Sequence, residues 1–567
     1  MPERTPEFLP AGLDRGNRST RNIIHWLFDS THGAPGRLAP RWIFLRALAA
    51  IYFSAFYSLL FQIKGLIGPQ GILPVHNYLP AIARAFPVAK YWFAPTLFWI
   101  SSTSHVLIVV TSIGLIASIA AFLNLWPRLS FLVCFVCFLS FVSAAQDFSN
   151  YQSDGMLLEA GFIALFFVPR GLRPGLGAAT PPSRASLFLL QWEWFRIYFE
   201  SGLVKLISGD RQWRTLTAMD HYYETGPLPT WIGWYTQHLP HWFHAASAAG
   251  TLILELGVVW MLFLPRRVRI VCFFIVTPWE IGVILTANYT FLNYLVLSLG
   301  FLLLDDRFLG QFFPDLHKSG LALDPNSPTH QMQSPPVPIA DESELEASHS
   351  MPRFRFHRIE NHLSALGLAI STVMLTWIFY NTSAEMILIP FRSLPLPTKP
   401  IALLDPFRIA NQYGLFAVMT NGRYEIEFQG SNDGQNWTPY LFRHKPQLLN
   451  EAPRIYAPYQ PRFDWNLWFA SLGDWHQNEI VPITEERLLE NDKDVLGLFR
   501  SNPFPQTPPR YIRAMLWQYW FTTREEKRAT GNWWRRELLG MYAPELTKTQ
   551  EGQPAVVEWP EPLPVHD

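Results

Sequence analysis

The chain has 567 residues, too many for one ordinary domain, so at least two folded units are expected. Its 45 Lys and Arg balance 45 Asp and Glu, which removes the electrostatic footprint that a nucleic-acid partner requires. Charged residues make up 16% and aromatics 15%, against about 25% charged in an average soluble chain, a balance suited to lipid-facing helices with interfacial rings.

Residues 1–41 are polar and carry Arg4, Arg15, Arg18, Arg21, Arg37 and Arg41. They lack the short apolar core and small-residue cleavage site of a signal peptide, so the first hydrophobic run should act as a retained anchor. A membrane-spanning helix needs about 20 apolar residues to cross about 30 Å of hydrocarbon. Residues 42–63, 97–123, 129–145, 185–207, 245–264, 268–287 and 363–380 qualify, and 155–168 and 290–304 are shorter candidates. If all nine cross, Lys and Arg concentrate on one side, in the N-terminus, at Arg128 and in the loops around 170–184, 266–269 and 307–358. The opposite short loops contain Arg84, Lys90, Arg211 and Arg214. The positive-inside bias then puts the N-terminus in the cytoplasm and the C-terminal domain on the other side. The segment 305–362 holds a Pro-rich, Ser-rich stretch with too few apolar groups to offset ordering entropy, and reads as a disordered cytoplasmic linker.

These readings give a multi-pass α-helical membrane bundle of about nine spans followed by a β-rich, sandwich-like domain outside the membrane. The bundle occupies 42–304, the last membrane helix 363–381, the non-cytoplasmic domain 382–550 and a Pro-rich, loose tail 551–567. Within the domain, residues 423–429 alternate polar and apolar, the period of a half-buried strand. Asp433-Gly434 supplies the positive φ of a tight turn, after which 437–442 reads as the returning strand. Residues 511–521 alternate again, while 464–472, 485–500 and 533–541 read as helices.

The most informative residues are charges inside the apolar runs. Glu193, Arg196, Glu200 and Lys205 lie in one span, and Arg196 and Glu200, four apart, share a helix face. Glu159, Glu255 and Glu280 lie in other spans. A charge at bilayer depth costs roughly 2.5–3.5 kcal/mol on insertion scales, so all seven should face the bundle interior. They form either a structural ion-pair network or a ligand-binding or proton-handling site. His238, His241 and His244 recur every three residues, but that spacing drifts around a helix and Pro240 interrupts it, so packing is preferred to a metal site and no cofactor is expected. Cys134, Cys137 and Cys272 lie in apolar runs without the setting that activates a thiol. No nucleophile elbow, phosphate loop or dinucleotide fingerprint appears, which argues against a lipase, kinase or ordinary dehydrogenase.

Several blocks resemble the lipase maturation factor family. They are Gly209-Asp-Arg-Gln-Trp213 through Pro229, Thr286-Ala-Asn-Tyr-Thr-Phe-Leu-Asn293, Leu303-Leu-Asp-Asp306, Gly68-Pro-Gln-Gly-Ile-Leu-Pro74 and Pro95-Thr-Leu-Phe-Trp99. Gly430-Ser-Asn-Asp-Gly-Gln-Asn-Trp437, Pro461-Arg-Phe-Asp-Trp-Asn-Leu-Trp-Phe469 and Pro509-Arg-Tyr-Ile-Arg513 continue it into the C-terminal domain. The chain reads as a bacterial-type member. The resemblance implies a chaperone-like factor, not an enzyme, that assists folding or assembly of secreted proteins such as lipases. It also implies the endoplasmic reticulum membrane in a eukaryote or the inner membrane in a bacterium, with secreted clients and membrane lipid as partners. Within the first block Asp210, Arg211, Trp213, Arg214, Asp220, His221, Tyr223 and Glu224 are candidates, with Asn288 and Asn293 in the second. Arg462, Asp464, Trp465, Trp468 and Phe469 are candidate client contacts. The alternative is a membrane enzyme, its bundle distantly similar to that of the vitamin K-dependent carboxylase, acting on a lipid or quinone-like substrate through Arg196, Glu200 and Lys205.

Overall fold

A computed structural model describes residues 11–312 and 353–563. Residues 313–352 of the expected linker, and 1–10 and 564–567, lie outside the described residues. Ten of the helices that precede the C-terminal domain are α1 Ala11–Phe28, α2 Leu38–Leu60, α3 Ser104–Phe122, α4 Pro127–Val142, α5 Gln152–Phe167, α6 Arg184–Ile207, α7 His241–Leu256, α8 Arg266–Thr286, α9 Leu292–Gly300 and α10 Arg353–Leu388. Each of α2 to α10 coincides with one predicted apolar segment.

Local chemistry sets several of the ends. Pro127 occupies the first turn of α4, where its missing N–H costs nothing. Ser183 caps α6 by accepting the Ser186 N–H at 3.2 Å. Among the described residues, five helical stretches are long and apolar enough to cross a membrane: Pro35–Leu60, Ser104–Phe122, His241–Phe263, Arg266–Thr286 and His362–Leu388. α4 is shorter, and the run Leu292–Leu303 ends in a 3-10 turn. α5 and α6 sit deepest: α5 is buried along nearly its whole length, and α6 carries the charges on its buried side chains.

The C-terminal domain is built on a single five-stranded antiparallel sheet of order β2-β1-β3-β4-β5. Its strands are β1 Arg423–Ser431, β2 Thr438–Pro439, β3 Tyr511–Phe521, β4 Trp534–Lys548 and β5 Pro554–Glu558. This corrects the sandwich expectation, since one sheet with helices packed on it replaces a second sheet. The expected turn forms with Gly434 at φ +71°, but the returning strand shortens to the two residues of β2. β4 takes in residues 534–541 of the stretch 533–541 read above as a helix. The register of β4 against the whole of β3 decides the outcome. β5 falls within the stretch expected to be loose. Helices α11 Arg462–Ala470 and α12 Ile480–Leu489 lie between β2 and β3 in sequence, and α12 packs on β3 and β4.

The hydrophobic core does not break at the domain boundary. One cluster of buried side chains runs from Phe44, Tyr52 and Phe138 of the bundle to Phe428, Phe442, Phe463 and Leu516 of the C-terminal domain.

Candidate functional site

The site begins with α6, whose inward face stacks Glu193, Arg196, Glu200 and Lys205. All seven predicted intramembrane charges are buried, none more than 9% exposed. Arg196 and Glu200 are held at 3.8 Å, a loose pairing. The main partner of Arg196 is Glu159 of α5, joined Nη2 to Oε1. The rest of this network comes from a segment that sequence reasoning missed. After α10 the chain turns back into the bundle, where Arg196 Nη1 donates to the Asn411 carbonyl at 2.6 Å. Glu159 Oε2 accepts from the Asn411 N–H at 3.0 Å and from the Tyr413 hydroxyl at 2.9 Å. Glu200 Oε2 accepts the Tyr413 N–H at 2.6 Å. The Arg196 guanidinium lies 5.1 Å from the centre of the Tyr413 ring. Arg196 Nε and Glu200 Oε1 have no hydrogen-bond partner, but the remaining bonds tie the group together, and losing one partner strands the others. Glu193 is wholly buried and, among the described residues, no cation lies within ion-pair range of it.

A second group lies lower on α6. Lys205 Nζ donates to both oxygens of Glu255, each at 2.8 Å, and stands 5.2 Å from the Trp213 ring centre. The Tyr198 hydroxyl donates to Glu280 Oε2 at 2.6 Å. Both pairs border a cavity of about 350 Å³ bounded also by Trp213, Tyr223 and Asn293. The structure therefore separates the seven charges into a plugged network and a cavity-lining group, so Arg196, Glu200 and Lys205 do not converge on one pocket.

The loop residues clasp the C-terminal segment. Asp210 caps the short helix Arg211–Thr215 through the Gln212 N–H at 2.8 Å, and its other oxygen takes the Met419 N–H at 2.7 Å. Trp213 Nε1 donates to the Phe416 carbonyl at 2.9 Å. Asn288 accepts from the Tyr456 and Ala457 amides at 2.7 and 3.0 Å and donates to the Arg454 carbonyl at 2.8 Å. Arg211, Arg214 and His221 are exposed, and Asp220 meets His241 at 3.0 Å on the surface. His238 and His244 bond instead to the carbonyls of Trp234 and Leu239, so the three histidines do not converge. Arg423 of β1, unremarked in the sequence, is buried and donates to the carbonyls of Glu224 and Pro227, both at 3.1 Å.

Glu224 itself accepts the Phe521 N–H at 2.6 Å. Burial pushes its carboxyl up to about 7, against the lowering pull of that amide and of Arg423. A carboxyl raised on folding holds its proton more tightly in the native state. Its stabilising contribution is full below the ordinary glutamate value and is lost as pH rises towards about 7. The loss should be on the order of 3 kcal/mol between about pH 4.5 and 7. Glu224→Gln should flatten that slope in thermal melts taken across the window, and an unchanged slope would remove Glu224 as its source.

The proposed client contacts divide. Arg462 pairs with Asp154 at the start of α5, Nη1 to Oδ2 at 2.7 Å and Nη2 to Oδ1 at 2.8 Å, with neither side chain exposed. Asp464 accepts the His444 and Lys445 amides, each at 3.2 Å. Trp465 and Trp468 are buried, and Trp468 Nε1 donates to the Thr225 carbonyl at 3.0 Å. Four of the five residues thus fasten α11 to the bundle and the sheet domain. Phe469 is the exception, 48% exposed and stacked on Tyr151.

Comparison with known proteins covers both regions. Residues 39–311 match the lipase maturation factor transmembrane domain, and 409–544 match the lipase maturation factor C-terminal domain. The chain is 31% identical to lipase maturation factor 2 of Gallus gallus over 91% of its length and 82% of the relative's. It is 30% identical to lipase maturation factor 1 of Bos taurus, covering 94% of each chain. It is 31% identical to lipase maturation factor 1 of Mus musculus, over 92% of this chain and 90% of that one. No solved structure matches. These vertebrate relatives give no support to the bacterial-type placement expected above. With both regions matched in order and relatives aligned almost end to end, the chain belongs to the lipase maturation factor family.

Proposed function

We propose that this chain is a membrane-embedded maturation factor that helps secreted lipases fold or assemble. The observation that carries the reading is the near-complete alignment with relatives named lipase maturation factor. In this reading all nine segments cross, the N-terminus is cytoplasmic, and the sheet domain meets clients on the lumenal side of the endoplasmic reticulum membrane. The positive-inside bias supports that orientation. The enzyme alternative loses ground, because Arg196 and Glu159 are already engaged by Asn411 and Tyr413.

Co-expression with a secreted lipase, in cells lacking their own maturation factor, tests this. Active lipase should appear in the medium only when the chain is present. Inactive lipase beside normal levels of inserted chain would overturn the reading. Phe469 is the proposed client contact. Phe469→Ala should leave the apparent melting temperature close to wild type while lowering secreted lipase activity. Trp468→Ala should instead cost about 3–5 kcal/mol of stability, as a buried ring replaced by a void does. Equal lipase output from Phe469→Ala and wild type would remove that contact.

A further inference from the structure

We propose that the cavity between α6, α7 and α8 binds an uncharged, single-chain membrane amphiphile bearing hydroxyl and ester carbonyl groups, a monoacylglycerol by chemical class. α7 and α8 both pack on the 3-10 turn Val258–Phe263 that joins them and then separate. α7 reaches α8 at Gly250, where an added Cβ would come within 3.4 Å of the Trp279 ring. Beyond that contact the gap is open, since a Cβ added at Gly282 of α8 meets nothing within 4 Å. Ile281 and Leu285, beside Gly282 on the same helix, are 42% and 43% exposed. Both helices belong to stretches long and apolar enough to span a bilayer. The mouth of the cavity is therefore bordered by side chains that face hydrocarbon, which points to an occupant arriving from the lipid phase.

Volume and polarity narrow its chemistry. A cavity of about 350 Å³, lined mostly by apolar side chains such as Ile197, Phe243, Val283 and Val296, suits an acyl chain segment. Besides hydroxyl side chains such as Ser247 and Thr251, three polar features face it. Asn293 is 6% exposed and its Nδ2 has no hydrogen-bond partner, a buried donor seeking an acceptor. The Lys205 charge is already matched by both oxygens of Glu255. Glu280 adds a second carboxyl. An anionic head, or the phosphate of a choline lipid, would meet two carboxyls and no spare cation. An ester carbonyl satisfies Asn293, and glycerol hydroxyls donate to the carboxylates. No covalent step is involved.

The test uses intact protein in lipid nanodiscs and a monoacylglycerol carrying a photoreactive diazirine on its acyl chain, with labelled positions mapped by mass spectrometry. Labels should fall on the facing sides of α7 and α8, and unlabelled monoacylglycerol should compete. Gly282→Leu, which fills open space without touching a polar group, should cut labelling by about tenfold, and Asn293→Leu by about fivefold, the worth of one hydrogen bond. Competition in the wild type needs no variant and stands if either one fails to fold. Labelling that misses α7 and α8, or that persists in a well-folded Gly282→Leu, would overturn the site. Stronger competition by a fatty acid or by phosphatidylcholine would overturn the head-group class. No lipase is present in this experiment, so its outcome is separate from that of the maturation assay.

Discussion

Arg462→Met is expected to destabilise the protein by about 3–5 kcal/mol and to loosen the C-terminal domain from the bundle. The substitution keeps most of the apolar volume, so the expected loss comes from charge. Arg462 holds Asp154 through two hydrogen bonds and also donates to the Phe148 carbonyl at 2.7 Å. Its guanidinium lies 4.7 Å from the Phe141 ring centre, within an aromatic setting that excludes water. Without Arg462, Asp154 remains wholly buried and, among the described residues, has no other cation in ion-pair range. Asp154→Asn in the same chain removes that penalty, so the double variant should recover a measurable part of the loss. Thermal melts and protease sensitivity of the C-terminal region report it. A wild-type melt for the single variant would show that the pair carries no such weight. If both single variants and the double lose equally, packing of α11 is the cause and not charge.

The same pair shows where sequence reading stops. Arg462 was visible inside a Trp-rich block, yet its partner is 308 positions away and sits one residue before the predicted 155–168 segment. Apolar length found the helices because the bilayer imposes a length that one sequence window can measure. Cost at depth found the buried charges, since a charge in an apolar run has to turn inward. Neither rule assigns partners. The i, i+4 spacing favoured Arg196 with Glu200, whereas Glu159 on a neighbouring helix is the closer partner. Residues 411–414 carry neither a hydrophobic period nor a charge, so nothing local marked their entry into the bundle. β4 was misread because strand identity there depends on pairing with β3, a non-local term. The resemblance blocks pointed to Asp210, Trp213 and Asn288 without saying what they touch. The structure gives Asp210 and Trp213 partners in the segment that leads into the sheet domain, and Asn288 partners in the loop between β2 and α11.

Arg196→Met is expected to be as damaging as Arg462→Met, and its rescue separates structure from function. The single variant strands Glu159 and Glu200 at full burial with only Asn411 and Tyr413 as donors, a situation that costs several kcal/mol. Because Glu159 is the principal partner, the informative companion is Glu159→Gln, which stays neutral and can still accept from Asn411 and Tyr413. Arg196→Met with Glu159→Gln should regain most of the lost yield and thermal stability, as neutralised buried pairs often do. If the repaired protein also matures lipase normally, the network is a structural clasp that seats residues 411–414. If it is stable yet fails to mature lipase, the charge itself takes part in function. A failure of the double variant to regain stability would place the weight on the Asn411 carbonyl bond, which only Arg196 supplies. Adding Glu200→Leu then distinguishes the remaining carboxylate, whose hydrogen bond from the Tyr413 backbone survives the loss of Arg196 but not its own replacement.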